Sequence, residues 1–393
     1  PAGATHALRA ELERVRASQG MQLPEATWTS IAYQLDVADR IQKDYATQAA
    51  AWRERARNWL ELAAAGRDPL TSAYGQIVMR GYDSSISKLR QGYAIYIPKN
   101  YDAKRAYPLM VALHGGSANG NLFLGGVLGN NMNWKEYDHH LWDDFTPKWS
   151  PDWIVVAPDG FGQVMWRFMG EQDVLDVIAD VRKHYNVDED RTVLCGLSNG
   201  GVGAYSLGMR HAWRFSAVLA IAGAPSWIQY ARAESDPLQA EALHPLSGMS
   251  LAENAINTDF RYFHGTVDPG PMRPAFVQAF SQHIAKLGVP YKEKWFETGH
   301  DLLYLVQRHG KIFDELSSVV RKRRPNEVRV VTGDYRANRQ HWLTVTSIAR
   351  LPELARVRAV AEGDAITIEA KNARGLRIEL GDVPLSAADT LRL

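Results

Sequence analysis

The sequence predicts an α/β protein: a mostly parallel sheet flanked by helices, with a helical extension before it and a small β domain after it. Three observations lead there. Short apolar runs at residues 109–113, 153–157, 192–195 and 217–221 have the length and the bounding turn residues of strands buried on both faces. The intervals between them leave room for helices, and residues 172–181 supply one amphipathic crossover helix. Beyond Pro325 the apolar period changes to two, the period of half-buried strands.

Taken in order, residues 5–65 are rich in Ala, Glu, Arg, Gln and Leu, which lose little entropy in a helix. Trp28, Ile31, Leu35, Ala38, Ile41, Tyr45, Ala49, Trp52, Ala56 and Trp59 recur at three- and four-residue steps, predicting one apolar stripe down a long helix. That stripe needs a cover, which the following domain, a partner subunit in a homo-oligomer, or a lid position over the active site would each supply. After Gly66 the composition shifts, and the alternating run 93–97 before Pro98 reads as an antiparallel strand. Strand-like segments at 260–263 and 291–296 follow the four buried runs, and a helix over about 302–322 closes the core. The basic run Arg321-Lys322-Arg323-Arg324 then falls at a helix C-terminus, where cations complement the dipole, and does not read as a nucleic-acid patch. Alternating segments at 327–331, 342–346, 357–360, 366–369 and 376–380 make up the β tail.

Composition narrows the function. The 393 residues, 46% hydrophobic, suffice for a large core, and a net charge of +1 provides no broad attraction to nucleic acid or an anionic membrane. A small-molecule or polymer-linked neutral substrate suits such a surface better. The single cysteine, Cys195, excludes an internal disulfide framework and a Cys-rich zinc site. No run reaches the roughly 20 apolar residues that span a bilayer. No apolar leader core follows Pro1; the compartment is left open, with a secreted or periplasmic chain whose leader has been removed as the favoured expectation. The pair His139-His140 lacks spaced carboxylate or Cys partners, and neither a metal nor an organic cofactor is expected.

The chemistry is concentrated in four segments. Residues 192–201, Thr-Val-Leu-Cys-Gly-Leu-Ser-Asn-Gly-Gly, run an apolar strand into a Gly-x-Ser-x-Gly turn and a small-residue helix, the form of a nucleophile elbow around Ser198. The turn is so sharp that Gly196 and Gly200 must lack side chains. Upstream, His114-Gly115-Gly116 follows a buried strand, where two backbone N–H groups, assigned to Gly116 and Asn199, would stabilise an oxyanion. His114 itself reads as structural. A serine hydroxyl needs a base, and the base needs a carboxylate to hold its tautomer. Asp268 lies on a Gly-containing loop after the 260–263 segment, and His300 follows 291–296 and Gly299, so both reach the sheet edge that carries Ser198. Among competitors, Asp259 precedes its strand, His283 falls inside a helical run, and Asp159 is a reserve acid at the correct edge. Trp134, Trp142 and Trp166 fall in loops at that edge and are candidate substrate contacts.

With those residues in hand, the segment 92–322 resembles the α/β-hydrolase superfamily. It looks most like polyhydroxybutyrate-depolymerase-like and feruloyl-esterase-like enzymes and prolyl-oligopeptidase-type hydrolases. The resemblance is carried by Tyr96-Ile97-Pro98, Leu113-His114-Gly115-Gly116, Gly170-Glu171-Gln172-Asp173-Val174, Gly196-Leu197-Ser198-Asn199-Gly200-Gly201, His264-Gly265-Thr266-Val267-Asp268 and Gly299-His300. It implies a serine esterase with Ser198, Asp268 and His300 as the triad, in an α/β-hydrolase catalytic domain over 71–324. A helical region over 1–70 and a small β domain over 325–393 lie outside the common core. A peptidase or amidase would use the same residues, and a noncatalytic binding protein on the same scaffold is the alternative from another class.

Overall fold

The computed structural model describes residues 2–19, 22–130, 140–302 and 310–385. Its centre is an eight-stranded sheet built from β1 (Ile77–Asp83), β2 (Arg90–Tyr96), β3 (Tyr107–Leu113), β4 (Ile154–Pro158), β5 (Val187–Leu197), β6 (Ala217–Ile221), β7 (Asp259–Gly265) and β8 (Tyr291–Phe296). The spatial order is β1-β2-β4-β3-β5-β6-β7-β8. β2 pairs antiparallel with both β1 and β4, whereas β4, β3, β5, β6, β7 and β8 are all parallel. Every residue of β3, β4 and β6 is buried, as expected of continuous apolar runs covered on both faces. The sequence reading overlooks β1, because Arg80 and Gly81 interrupt its alternation. Arg80 is nevertheless buried, its charge met by Asp180 at 3.0 Å and by the Tyr185 hydroxyl at 3.2 Å.

The N-terminal stripe belongs to two helices, not one. The described part of this region folds as α1 (Ala2–Gln19), α2 (Glu25–Ile41) and α3 (Ala46–Ala64). The chain turns back after Ile41, so the two halves of the stripe face each other and the sheet, burying Trp28, Trp52 and Trp59 inside this chain. A single straight helix would leave half of that stripe in water. α2 lies directly on the β1–β2 hairpin. A Cβ on Gly81 would come 2.6 Å from the Thr29 carbonyl oxygen, and one on Gly92 would come 2.2 Å from the Tyr33 ring. The Gly81 N–H donates to Ser30 Oγ at 3.1 Å, completing a glycine notch that seats the helix.

The closing helix also differs from expectation. Its described part, Lys311–Ser317, ends before the basic run, and residues 303–309 lie outside the described residues. Helix-dipole complementation therefore does not explain those cations. Arg321 and Arg323 both bind Asp190 near the start of β5, Arg321 donates to the Trp213 carbonyl at 3.0 Å, and Arg324 donates to the Val383 carbonyl. The run is thus a set of clamps between the sheet and the C-terminal residues.

The tail forms two three-stranded antiparallel sheets. One orders β13 (Ala365–Lys371), β12 (Ala355–Glu362) and β9 (Glu327–Thr332); the other orders β10 (Arg339–Gln340), β11 (Leu343–Ile348) and β14 (Ala373–Ile378). Val328, Val330, Trp342, Leu343 and Val345 fill their shared core. The tail grips the helix Asn199–Arg210 at its far end. The buried guanidinium of Arg210 donates to Glu171 at 2.9 Å, to Asp334 of the tail at 2.8 Å and to the Pro245 carbonyl at 3.0 Å. Asn254 bridges Met209 and Val331 by donating to both carbonyls and accepting the Val331 N–H. Among the described residues no helix is long and apolar enough to cross a membrane.

The notch is testable by Gly92→Ala, whose methyl group must displace the Tyr33 ring. Overpacking of this kind is expected to cost about 1–3 kcal/mol, read as a lower urea midpoint; an unchanged midpoint would mean that α2 is not seated on Gly92.

Candidate active site

β5 ends at Leu197 and the helix Asn199–Arg210 starts two residues later, leaving Ser198 alone in the turn with φ 57° and ψ −119°. A residue with a side chain pays strain for positive φ, and the neighbouring contacts hold it there. A Cβ on Gly196 would lie 2.1 Å from the Gly200 carbonyl oxygen, and one on Gly200 only 1.9 Å from that of Leu113. No residue other than glycine fits either place. The Ser198 N–H donates to Ile221 of β6 at 2.9 Å, which anchors the turn to the sheet.

Asp268 and His300 arrive from the ends of β7 and β8. A Cβ on Gly265 would meet the Gly299 and Thr298 carbonyl oxygens at 2.2 and 2.4 Å, so the two loops pass backbone against backbone. Thr266 donates to Phe296 at 2.8 Å and Val267 to Thr298 at 3.2 Å. Their side chains converge: His300 Nδ1 lies 2.9 and 3.0 Å from the two Asp268 oxygens, and Nε2 lies 2.8 Å from Ser198 Oγ. Asp268 is 3% exposed, while the His300 side chain is 41% exposed. A carboxylate on Nδ1 demands a proton there and leaves Nε2 free to accept from the serine hydroxyl. His264, which the sequence reading did not single out, backs the carboxylate at 3.8 Å and binds the Met272 carbonyl at 2.7 Å. Burial lowers its pKa and favours the neutral ring.

The glycine turn after β3 lies against the elbow. A Cβ on Gly115 would lie 3.2 Å from Ser198 Cβ, and one on Gly116 would lie 2.9 Å from Asn199 Nδ2. His114 reaches the Gly115 and Asp159 carbonyls at 2.8 and 3.2 Å, a structural use of the ring. Asp159 is not hydrogen-bonded to His300, a position held by Asp268. Asp259 sits at the start of β7, bound to Arg261 and Lys292 at 2.8 and 2.7 Å, and His283 lies on the helix Pro274–Lys286.

Of the three tryptophans, Trp134 lies outside the described residues, as does His139. Trp166 corrects the expectation of a substrate contact. It is 3% exposed, its indole donates to the His114 carbonyl at 3.2 Å, and its ring presses so closely on Gly160 and Gly203 that a Cβ on either would clash. The ring is a strut beneath the glycine turn. Trp142 lines a cavity of about 500 Å³ with Arg40, Leu141, Asp159, Phe161 and Gln163, which begins at Ser117, the residue after Gly116. α2 contributes Arg40 to that wall, its guanidinium 5.5 Å from the Trp142 ring centre. Among the described residues no group of three or more His, Cys, Asp or Glu could hold a metal ion; His140 instead binds Asp143 at 2.7 Å.

Sequence reasoning also missed the backbone conformation and the side-chain ties that shape the loop after β4. Phe161, Met165, Trp166 and Phe168 all have positive φ. Asp173 holds the start of this loop by accepting the Gly160 N–H at 2.8 Å, and its other oxygen meets the Tyr82 hydroxyl. Tyr230 donates to Asn199 Oδ1 at 2.9 Å. Only the acidic residue at a helix start hinted at the first of these; the second has no local signal.

The parallel sheet, the elbow and the hydrogen-bonded Ser198, His300 and Asp268 define an α/β-hydrolase with the side-chain constellation of a serine hydrolase. Within that fold, residues 159–269 match the prolyl oligopeptidase family. A curated relative, prolyl endopeptidase FAP of Mus musculus, is 26% identical over 209 residues, covering 47% of this chain and 26% of the relative. The chain thus spans about a quarter of that protein's length. Similar solved structures include the Pyrococcus horikoshii acylaminoacyl peptidase, 16% identical with TM-score 0.48 over 63% of this chain and 42% of that one. A ferulic acid esterase is 17% identical with TM-score 0.45, over 61% of this chain and 98% of its own.

Burial pushes the Asp173 carboxyl up to about 7 from 3.8. The unfolded chain then releases this proton first, so the carboxyl's stabilising contribution is complete below about pH 4 and is lost as pH rises through about 7. Asp173→Asn keeps an oxygen to accept the Gly160 N–H and puts an uncharged amide beside the Tyr82 hydroxyl in place of the carboxylate oxygen that accepts from it. Its urea midpoint relative to the parent is expected to improve from pH 5 to about pH 7 and then to level off, and a pH-independent difference would refute the assignment.

Proposed function

We propose that this chain is a serine hydrolase that cleaves carboxylic esters, with Ser198 as nucleophile, His300 as general base and then acid, and Asp268 as the orienting carboxylate. The observation that carries this reading is the unbroken contact from Asp268 through His300 to Ser198, with separations of 2.9 and 2.8 Å. In the first step Ser198 Oγ attacks the ester carbonyl as His300 Nε2 takes its proton. The tetrahedral oxyanion is held by the N–H groups of Gly116 and Asn199, each contributing roughly 3–4 kcal/mol to the transition state. Collapse expels the alcohol, which leaves with the proton from His300. Water then attacks the acyl-enzyme by the same relay, releasing the acid and restoring Ser198. In the wall of the Trp142 cavity, Leu141, Trp142 and Phe161 would meet an apolar or aryl portion of the substrate.

Peptide-bond cleavage is the second reading, supported by the match of residues 159–269 to the prolyl oligopeptidase family. Parallel assays with p-nitrophenyl acetate and an aminoacyl-p-nitroanilide separate the two, with faster ester turnover expected. A fluorophosphonate probe should label the parent and not Ser198→Ala; an unlabelled parent would overturn the hydrolase reading. His300→Ala is expected to lower kcat/KM by at least about three orders of magnitude while the melting temperature stays near that of the parent. Near-normal turnover in that variant would require another base.

A further inference from the structure

We propose that Arg167 recognises a carboxylate on the substrate of the Ser198 site, an inference that rests on the hydrolase reading. Arg167 sits between β4 and the helix Met169–His184, flanked by Trp166 and Phe168, which both hold positive φ at 60° and 51°. Its backbone neighbours therefore set its direction. The guanidinium carbon stands 4.5 Å from the centre of the Trp227 ring. Trp227 meets Tyr230 edge-on at 5.4 Å, and the Tyr230 hydroxyl donates to Asn199, the residue after Ser198. One aromatic pair thus separates this cation from the candidate nucleophile's turn.

Arg167 has no counter-charge beside that turn. Buried or half-buried arginines elsewhere are matched, Arg80 by Asp180, Arg210 by Glu171 and Asp334, and Arg321 by Asp190, while Arg214, which also lacks an ion-pair partner among the described residues, lies over Trp213 beyond the far end of the helix Asn199–Arg210. Among the described residues no carboxylate pairs with Arg167, and its Nε is buried without a hydrogen-bond partner. Burial lowers its pKa, opposed only by the Tyr230 phenol. A partly desolvated cation without an anion is unfavourable by itself and becomes favourable when a ligand brings the anion. Stacking on Trp227 occupies one face of the guanidinium and leaves its N–H edge for an in-plane carboxylate. One cation matches one negative charge, so a monocarboxylate fits better than a phosphate dianion.

The test compares matched esters: mono-p-nitrophenyl glutarate against p-nitrophenyl butyrate, and 4-acetoxybenzoate against phenyl acetate. The parent is expected to favour the charged member of at least one pair by about 10- to 100-fold in kcat/KM, the range for a charge-assisted hydrogen bond. The ratio should collapse in Arg167→Met, which keeps an aliphatic stack on Trp227, and survive in part in Arg167→Lys. Parent ratios near one in both pairs, or a ratio unchanged in Arg167→Met, would overturn the proposal while fluorophosphonate labelling of Ser198 upholds the hydrolase reading. Calorimetry with glutarate and benzoate reads the site without turnover. Saturable binding to the parent that Arg167→Met loses supports a carboxylate site at Arg167, and equal or absent binding of both refutes it.

Discussion

Gly200 crosses the end of β3 so closely that a single added carbon would lie 1.9 Å from the Leu113 carbonyl oxygen. This contact lets the helix Asn199–Arg210 start immediately over the sheet, and Ser198 is lifted into positive φ as a consequence. Strain at one residue persists when its surroundings leave no alternative. Here the surroundings are the Gly196–Gly200 approach beneath it, the Ser198–Ile221 hydrogen bond beside it and the Gly115 turn against it. Each uses backbone atoms, so the position of Ser198 depends on no flexible side chain.

The partner side chains are fixed by the same kind of contact. Gly265 brings the β7 loop against the carbonyls of Thr298 and Gly299, so Asp268 and His300 are carried by loops that constrain each other. Asp268 is buried with an imidazole on either side, His300 at hydrogen-bond distance and His264 farther back. The buried carboxylate thus meets polar groups, while His300 stays open to solvent on the side where a substrate would arrive. Apolar packing elsewhere keeps the only thiol out of this chemistry: Cys195, buried in β5, has its pKa pushed up to about 12.

The flanking parts act on the site from opposite ends. α2 sits in the Gly81–Gly92 notch and brings Arg40 to the wall of the Trp142 cavity. The β tail grips the other end of the elbow helix through Arg210, Asp334 and Asn254. Between them, the loop after β4 keeps its unusual backbone because Asp173 ties its start and Trp166 fills the space beneath it. A site assembled on a parallel sheet is therefore shaped by residues far from it in sequence.

The sequence by itself determined the buried parallel strands, the glycine-flanked elbow and the order of Ser198, Asp268 and His300, because apolar runs and obligatory glycines are local signals that packing cannot easily override. Local signals failed where long-range pairing supplied the stability. Arg80 hides β1, the α2–α3 turn leaves the apolar stripe unbroken, and the run 321–324 reads as a helix end although its true partner is Asp190, more than a hundred residues away. Trp166 and Trp142 carry equal weight in a sequence, yet one is a strut and the other lines a cavity. Only the tertiary structure could decide such cases, since burial, counter-charge and the direction of a side chain belong to the neighbours that the fold provides and not to the residue itself.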